Sequence, residues 1–177
     1  MKRALLITLV LAGCSKESVR EAPTEARSAL QEACPGAVAP IEHGKVCTEL
    51  GCESGFSVVF QPKAPWPEGS YRFQFDVDGR MVTCTGKLPL RSCSHRNAMC
   101  DGDVVLAESG CDLPAASHSF WSVSFSGFPR EIKAAAFLEG KPIGDATLKP
   151  KYARSQPNGP GCGPVCCAAS DELQLRL

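Results

Sequence analysis

Histidine is scarce in this chain: His43, His95 and His118 are the whole supply among 177 residues. A serine hydrolase needs a nucleophile on a constrained turn and a histidine base held by a carboxylate. The Gly-x-Ser-x-Gly elbow that presents many such serines is missing. What remains for hydrolysis is His118 between Ser117 and Ser119, with Asp101 and Asp103 as carboxylates that folding would have to bring near. The stretch "SFSG" at 124–127 reads more simply as hydroxyls alternating along a strand. Excess charge of either sign is missing too, with 19 basic against 19 acidic side chains. No cluster of basic residues stands out along the chain, so electrostatics makes no case for nucleic acid or for a polybasic membrane patch. Nowhere is there an apolar run of the ~20 residues that a membrane-spanning helix requires. Cys-x-x-Cys spacing, internal repeats and low-complexity blocks are absent as well.

What the chain does have begins at its front, with "MKRALLITLVLAGC". Lys2 and Arg3 precede an apolar run from Ala4 to Leu11 and then small residues, the layout of a cleavable export signal. Leu11-Ala12-Gly13-Cys14 resembles the lipobox of bacterial lipoproteins. That resemblance implies cleavage before Cys14, a diacylated Cys14 thiol and an acylated new amino terminus. It also implies a place in the cell envelope, at the outer membrane because Ser15 rather than Asp follows the cysteine. Each buried CH₂ of an acyl chain contributes about 0.8 kcal/mol, so two or more chains hold a protein on a membrane where one does so only marginally. The membrane is then a partner through lipid alone.

The chain has 11 cysteines, an odd number for an exported protein. Lipidation of Cys14 leaves ten: Cys34, Cys47, Cys52, Cys84, Cys93, Cys100, Cys111, Cys162, Cys166 and Cys167. Exported thiols meet oxidising conditions and close to disulfides, so these ten read as a stapled scaffold. Short-range pairs suggest themselves first: Cys93 with Cys100 to close a small loop, and Cys34 with Cys47 to pin the N-terminal segment. Adjacent Cys166 and Cys167 are expected to reach different partners. Zinc is the competing reading, because Cys47 with Cys52 and Cys162 with Cys166 fall in the ligand-pair spacing range. The long interval between the pairs and the oxidising compartment favour disulfides.

Removal of residues 1–13 leaves 164, enough for one domain with a sizeable core. Residues 14–33 form a lipidated start and a polar, partly helical tether; as flexible coil it reaches ~24 Å. From 34 to 177 the texture is that of strands and turns. "GFSVVFQ" at 55–61 places Phe56, Val58 and Phe60 on one face. "SYRFQFDV" at 70–77 alternates Tyr71, Phe73, Phe75 and Val77 against Arg72, Gln74 and Asp76, the period-two signature of a half-buried strand. Asp78-Gly79 supplies a tight hairpin turn into 80–88. It explains Asp76-Val77-Asp78-Gly79 better than a calcium loop, whose pattern this stretch leaves incomplete; Asp101-Gly102-Asp103 likewise reads as a surface turn. Further strands are expected at 104–107, 119–126, 131–138, 143–149 and 172–176, with Glu139-Gly140-Lys141 as a turn.

The expected fold is therefore all-β: a disulfide-stapled antiparallel β-sandwich of immunoglobulin-like topology, with a barrel as the alternative. Trp121, within a strand run beside Phe120, is expected in the core. Trp66, between Pro65 and Pro67, is expected to pack over a sheet edge, with a contact for a protein or glycan partner as the alternative. The residues imply no catalytic set and no cofactor. The expected role is a non-enzymatic, lipid-anchored envelope protein presenting a sandwich for structural or binding use, with a surface-tethered hydrolase or metal-dependent enzyme as the alternative.

Overall fold

Asp78 and Gly79 both adopt positive φ, 49° and 89°, in the computed structural model, which describes Glu32, Cys34 and residues 44–177. Two such residues in succession make the two-residue hairpin turn whose twist matches the flanking strands. The turn joins β2 (Gly69–Val77) to β3 (Arg80–Leu88) in a register that pairs Val77 with Arg80 and Gly69 with Leu88. Glu139 and Gly140 repeat the device, at φ 48° and 77°, between β7 (Ile132–Leu138) and β8 (Lys141–Leu148). β2 and β7 lie side by side, so two hairpins make most of one sheet, completed by the three-residue edge strand β4 (Ala98–Cys100) on β3. Its order is β4-β3-β2-β7-β8.

The second sheet has the order β5-β6-β1-β10-β9. It is built from β1 (Gly55–Pro62), β5 (Val104–Ser109), β6 (Ser119–Phe125), β9 (Ala153–Ser155) and β10 (Cys166–Leu175). All pairs are antiparallel except β1 with β10. Phe56, Val58 and Phe60 of β1 and Tyr71, Phe73 and Phe75 of β2 are buried, as their alternation demands. They meet across the interior: the rings of Phe60 and Phe73 stack at 4.6 Å, and Phe75 meets Phe125 of β6 edge-on at 5.2 Å. Phe120 sits against Gly86 of β3, where a Cβ would come within 2.5 Å of the ring, so only glycine fits there.

The chain is thus an all-β sandwich of two sheets and not a closed barrel, although the Arg176 N–H donates to the Ile143 carbonyl at one corner. Taken in order, β1 to β8 occupy the places of strands B, C, C′, C″, D, E, F and G in a variable-type immunoglobulin sandwich. β10 takes the place of A beside B, reached from the far end of the chain and running parallel to β1. The inter-sheet bridge that antibody domains carry between strands B and F has no counterpart, because β1 and β7 contain no cysteine. Among the described residues, no helix is long and apolar enough to cross a membrane. Cys14, His43 and nearly all of the expected tether lie outside the described residues.

Candidate functional site

The cysteines sort themselves by space rather than by sequence. Cys34 bonds to Cys167, Cys47 to Cys162, Cys52 to Cys166, Cys84 to Cys100 and Cys93 to Cys111. The two short-range pairings expected from the sequence are both corrected. Cys100 lies directly opposite Cys84 in the β3–β4 register, with Cα atoms 4.0 Å apart, and that claims it before Cys93. Cys93, in the loop after β3, reaches instead to Cys111 after β5. Cys34 passes over Cys47 to bridge β10. The four thiols of the zinc reading are paired crosswise as two disulfides, and a disulfide sulfur offers no thiolate to a metal. Among the described residues one further group of potential ligands, Cys93, Cys111 and Asp112, has both its sulfurs in one bridge.

Three of the five bridges tie the segment before β1 to residues 162–167, and the "PNGPGC" stretch is the other half of that clasp. Asn158 mimics a strand neighbour: its Oδ1 accepts the Leu50 N–H at 2.9 Å and its Nδ2 donates to the Leu50 carbonyl at 2.9 Å. Thr48 Oγ1 also lies 2.6 Å from Asn158 Oδ1. One amide thereby satisfies backbone groups that no strand serves.

The expected chemical residues are occupied structurally. His118 is 7% exposed; its Nδ1 accepts the Leu90 N–H and its Nε2 donates to the Leu113 carbonyl, both at 2.9 Å. That hydrogen-bond pattern assigns the Nε2–H tautomer and leaves no nitrogen to act on a serine. Asp101 accepts the Thr83 N–H. Asp76 accepts the Gly79 N–H at 2.9 Å, closing its own turn, and the Asp78 carboxylate accepts the Arg130 and Glu131 N–H groups at 2.9–3.1 Å. Tyr71 and Tyr152 donate to the carbonyls of Pro67 and Pro129 at 2.7 and 2.9 Å. Burial pushes the Tyr71 phenol up to about 12, and burial followed by the nearby Asp78 charge pushes Tyr152 above its ordinary value.

Of the two tryptophans, Trp66 packs as the sequence favours and Trp121 does not. Trp66 is half-buried, its ring centroid 5.2 Å from Tyr71, 5.6 Å from Phe120 and 6.0 Å from Phe60, so the proline-flanked loop folds over the end of the core. Trp121 is 63% exposed, against the expectation of a core position. The cause is a β-bulge: Ala107 pairs with Ser122 but Glu108 pairs with Phe120, which leaves Trp121 as the extra residue on β6. Phe120 and Val123 then both point inward, and the indole goes out.

The expectation that basic residues do not cluster is also corrected by the fold. Lys87, Arg91, His95 and Arg96, spread through the end of β3 and the loop after it, line a single depression of about 220 Å³ with Asn97 and Met99. No carboxylate lines it. An adjoining shallow depression of about 500 Å³ shares Lys87, Asn97 and Met99 and adds Arg72, Thr85 and Glu139. The sequence signal was a stretch from 87 to 97 that carries three permanent cations and no acid.

The class defined by these features is a disulfide-clasped immunoglobulin-like sandwich with one cationic face. Compared with protein-family models, curated proteins and solved structures, the chain matches none.

Proposed function

We propose that this chain is a non-enzymatic, lipid-anchored protein of the bacterial cell envelope, held at the outer membrane through Cys14 and presenting its stapled sandwich as a binding module for an envelope partner. The observation that supports this reading is the parity of the cysteines. Five bridges consume ten of the 11, and the one left over is the cysteine of Leu11-Ala12-Gly13-Cys14. An exported protein leaves no thiol idle without reason, and acylation gives this one a use. The clasp that ties the start of the domain to β10 suits a body that hangs from its N-terminus.

The test is mass spectrometry of the mature N-terminus after expression in a bacterium with two membranes. The expected product begins at an acylated Cys14 and fractionates with membranes, and a Cys14→Ala variant loses both the acyl mass and the membrane association. An unmodified chain that keeps Met1 would overturn the reading.

A further inference from the structure

The depression lined by Lys87, Arg91, His95 and Arg96 is built, not incidental. Asn97 holds the loop around it: its Oδ1 accepts the Arg91 N–H at 2.8 Å, and its Nδ2 donates to the carbonyls of Ser92 and His95 at 3.1 and 3.0 Å. Glu108 anchors Asn97 from behind, accepting the Asn97 and Ala98 N–H groups and the Asn97 amide at 2.6–3.0 Å. The Cys93–Cys111 bridge fixes the loop to the next one. A loop held this way orders little more on binding, which lowers the entropic cost of taking a ligand.

The cations it displays are uncommitted. Lys87, Arg91 and Arg96 make no ion pair among the described residues, where the pairs are formed by Arg130, Lys133, Lys149 and Arg176. His95 Nδ1 lies 2.8 Å from Ser92 Oγ, and its Nε2 has no hydrogen bond among the described residues. Like charges gathered in one fixed loop repel one another, and an oxyanion seated among them reverses that cost. Two guanidinium forks and an ammonium match the several acceptor oxygens of a phosphate better than the two of a carboxylate.

A phosphate alone does not use the neighbouring space. The adjoining depression of about 500 Å³ opens from the same Lys87 and Asn97. Hydroxyl, guanidinium and carboxylate groups at Ser70, Thr85, Arg72 and Glu139 line it, and the exposed Met99 supplies apolar surface. Glu139 is held by the Ser70 N–H, and the Arg72 guanidinium lies 4.6 Å over the Phe137 ring. Polar groups around apolar surface suit a sugar ring, with hydroxyls at its edge and C–H groups on its faces.

We propose that this face binds a phosphorylated saccharide, its phosphate against Lys87, Arg91 and Arg96 and its sugar over the adjoining depression beside Met99. The inference rests on the reading of the chain as a binding module but not on its lipid. Isothermal titration of the full chain in detergent, at low salt and neutral pH, compares inorganic phosphate with glucose 6-phosphate. The expected result is saturable binding of both, with the sugar phosphate about tenfold tighter, the equivalent of one or two added hydrogen bonds. An Arg91→Ala/Arg96→Ala variant should weaken both ligands by about tenfold or more. A Thr85→Trp variant, which fills the sugar depression, should remove the preference while leaving phosphate affinity unchanged. Arg154→Ala, at β9, serves as a control for general charge, and thermal midpoints confirm that each variant is folded. Absence of saturable binding, equal affinity for the two ligands, or affinity unaltered in the double arginine variant would each overturn the proposal. Acylation of Cys14 is scored on the same material, so a failed titration with acylated protein sinks this inference and leaves the anchor standing.

Discussion

Tyr71 and Tyr152 show how a single polar atom is accommodated in this core. The Tyr71 ring packs among Trp66, Phe73 and Phe120 and the Tyr152 ring against Phe128, and each hydroxyl donates to a proline carbonyl. Removing water disfavours the phenolate, so both side chains hold their protons to higher pH than a free tyrosine, Tyr71 to about 12. An unfolded tyrosine ionises near pH ~10. Between those values the folded chain keeps protons that the unfolded chain has shed. The stabilisation is therefore intact below about pH 10 and is lost as pH rises toward and through the folded value. Urea midpoints should be level up to about pH 9 and fall by about pH 11, with a shallower fall in Tyr71→Phe; a flat profile in the unsubstituted protein would contradict this account. Nothing in the sequence marks either tyrosine for the role, because the acceptors are Pro67 and Pro129 and only the fold brings Pro129 to Tyr152.

At the scale of the element, β1, β2 and β3 were legible because each keeps strict alternation and the Asp78-Gly79 pair fixes their join. β4 and β9 were not, since three residues are too few to show a period. β6 misled for a different reason: its bulge shifts the inward and outward sets by one residue, so strict alternation traced back from Val123 and Phe125 turns Trp121 inward and Phe120 outward, the reverse of what is found. The loop carrying Trp66 has no period to read at all. These placements separate the two indoles energetically. Trp66→Ala removes a ring that touches Phe60, Tyr71, Phe73 and Phe120, and should cost on the order of 3 kcal/mol in urea denaturation. Trp121→Ala should stay within about 0.5 kcal/mol, as exposed substitutions do. Equal costs for the two would mean that the bulge is absent.

For the molecule as a whole, the decisive feature is the triple clasp between the segment before β1 and residues 162–167. A single bridge spanning more than 100 residues restricts the unfolded chain by about 4–5 kcal/mol. The three here enclose nearly the same stretch, with separations of 133, 115 and 114. Once one is closed, the others constrain only the short spans between them. Replacing any one pair by alanines should therefore lower stability by about 2.5–3 kcal/mol, less than a lone long-range bridge contributes, whereas replacing all three should cost more than the three single-pair losses together, measured by thermal or urea unfolding. Additive losses across the three single-pair variants would refute the shared-loop argument. By itself the sequence determined the all-β class, the central hairpin and the even set of ten cysteines, because alternation, turn chemistry and parity are local or countable properties. Tertiary structure alone decided which sulfurs meet, which tryptophan is buried, and that Lys87, Arg91 and Arg96 share one depression. Those outcomes depend on distances between residues far apart in the chain or on a one-residue bulge, and neither leaves a periodic trace in the order of amino acids.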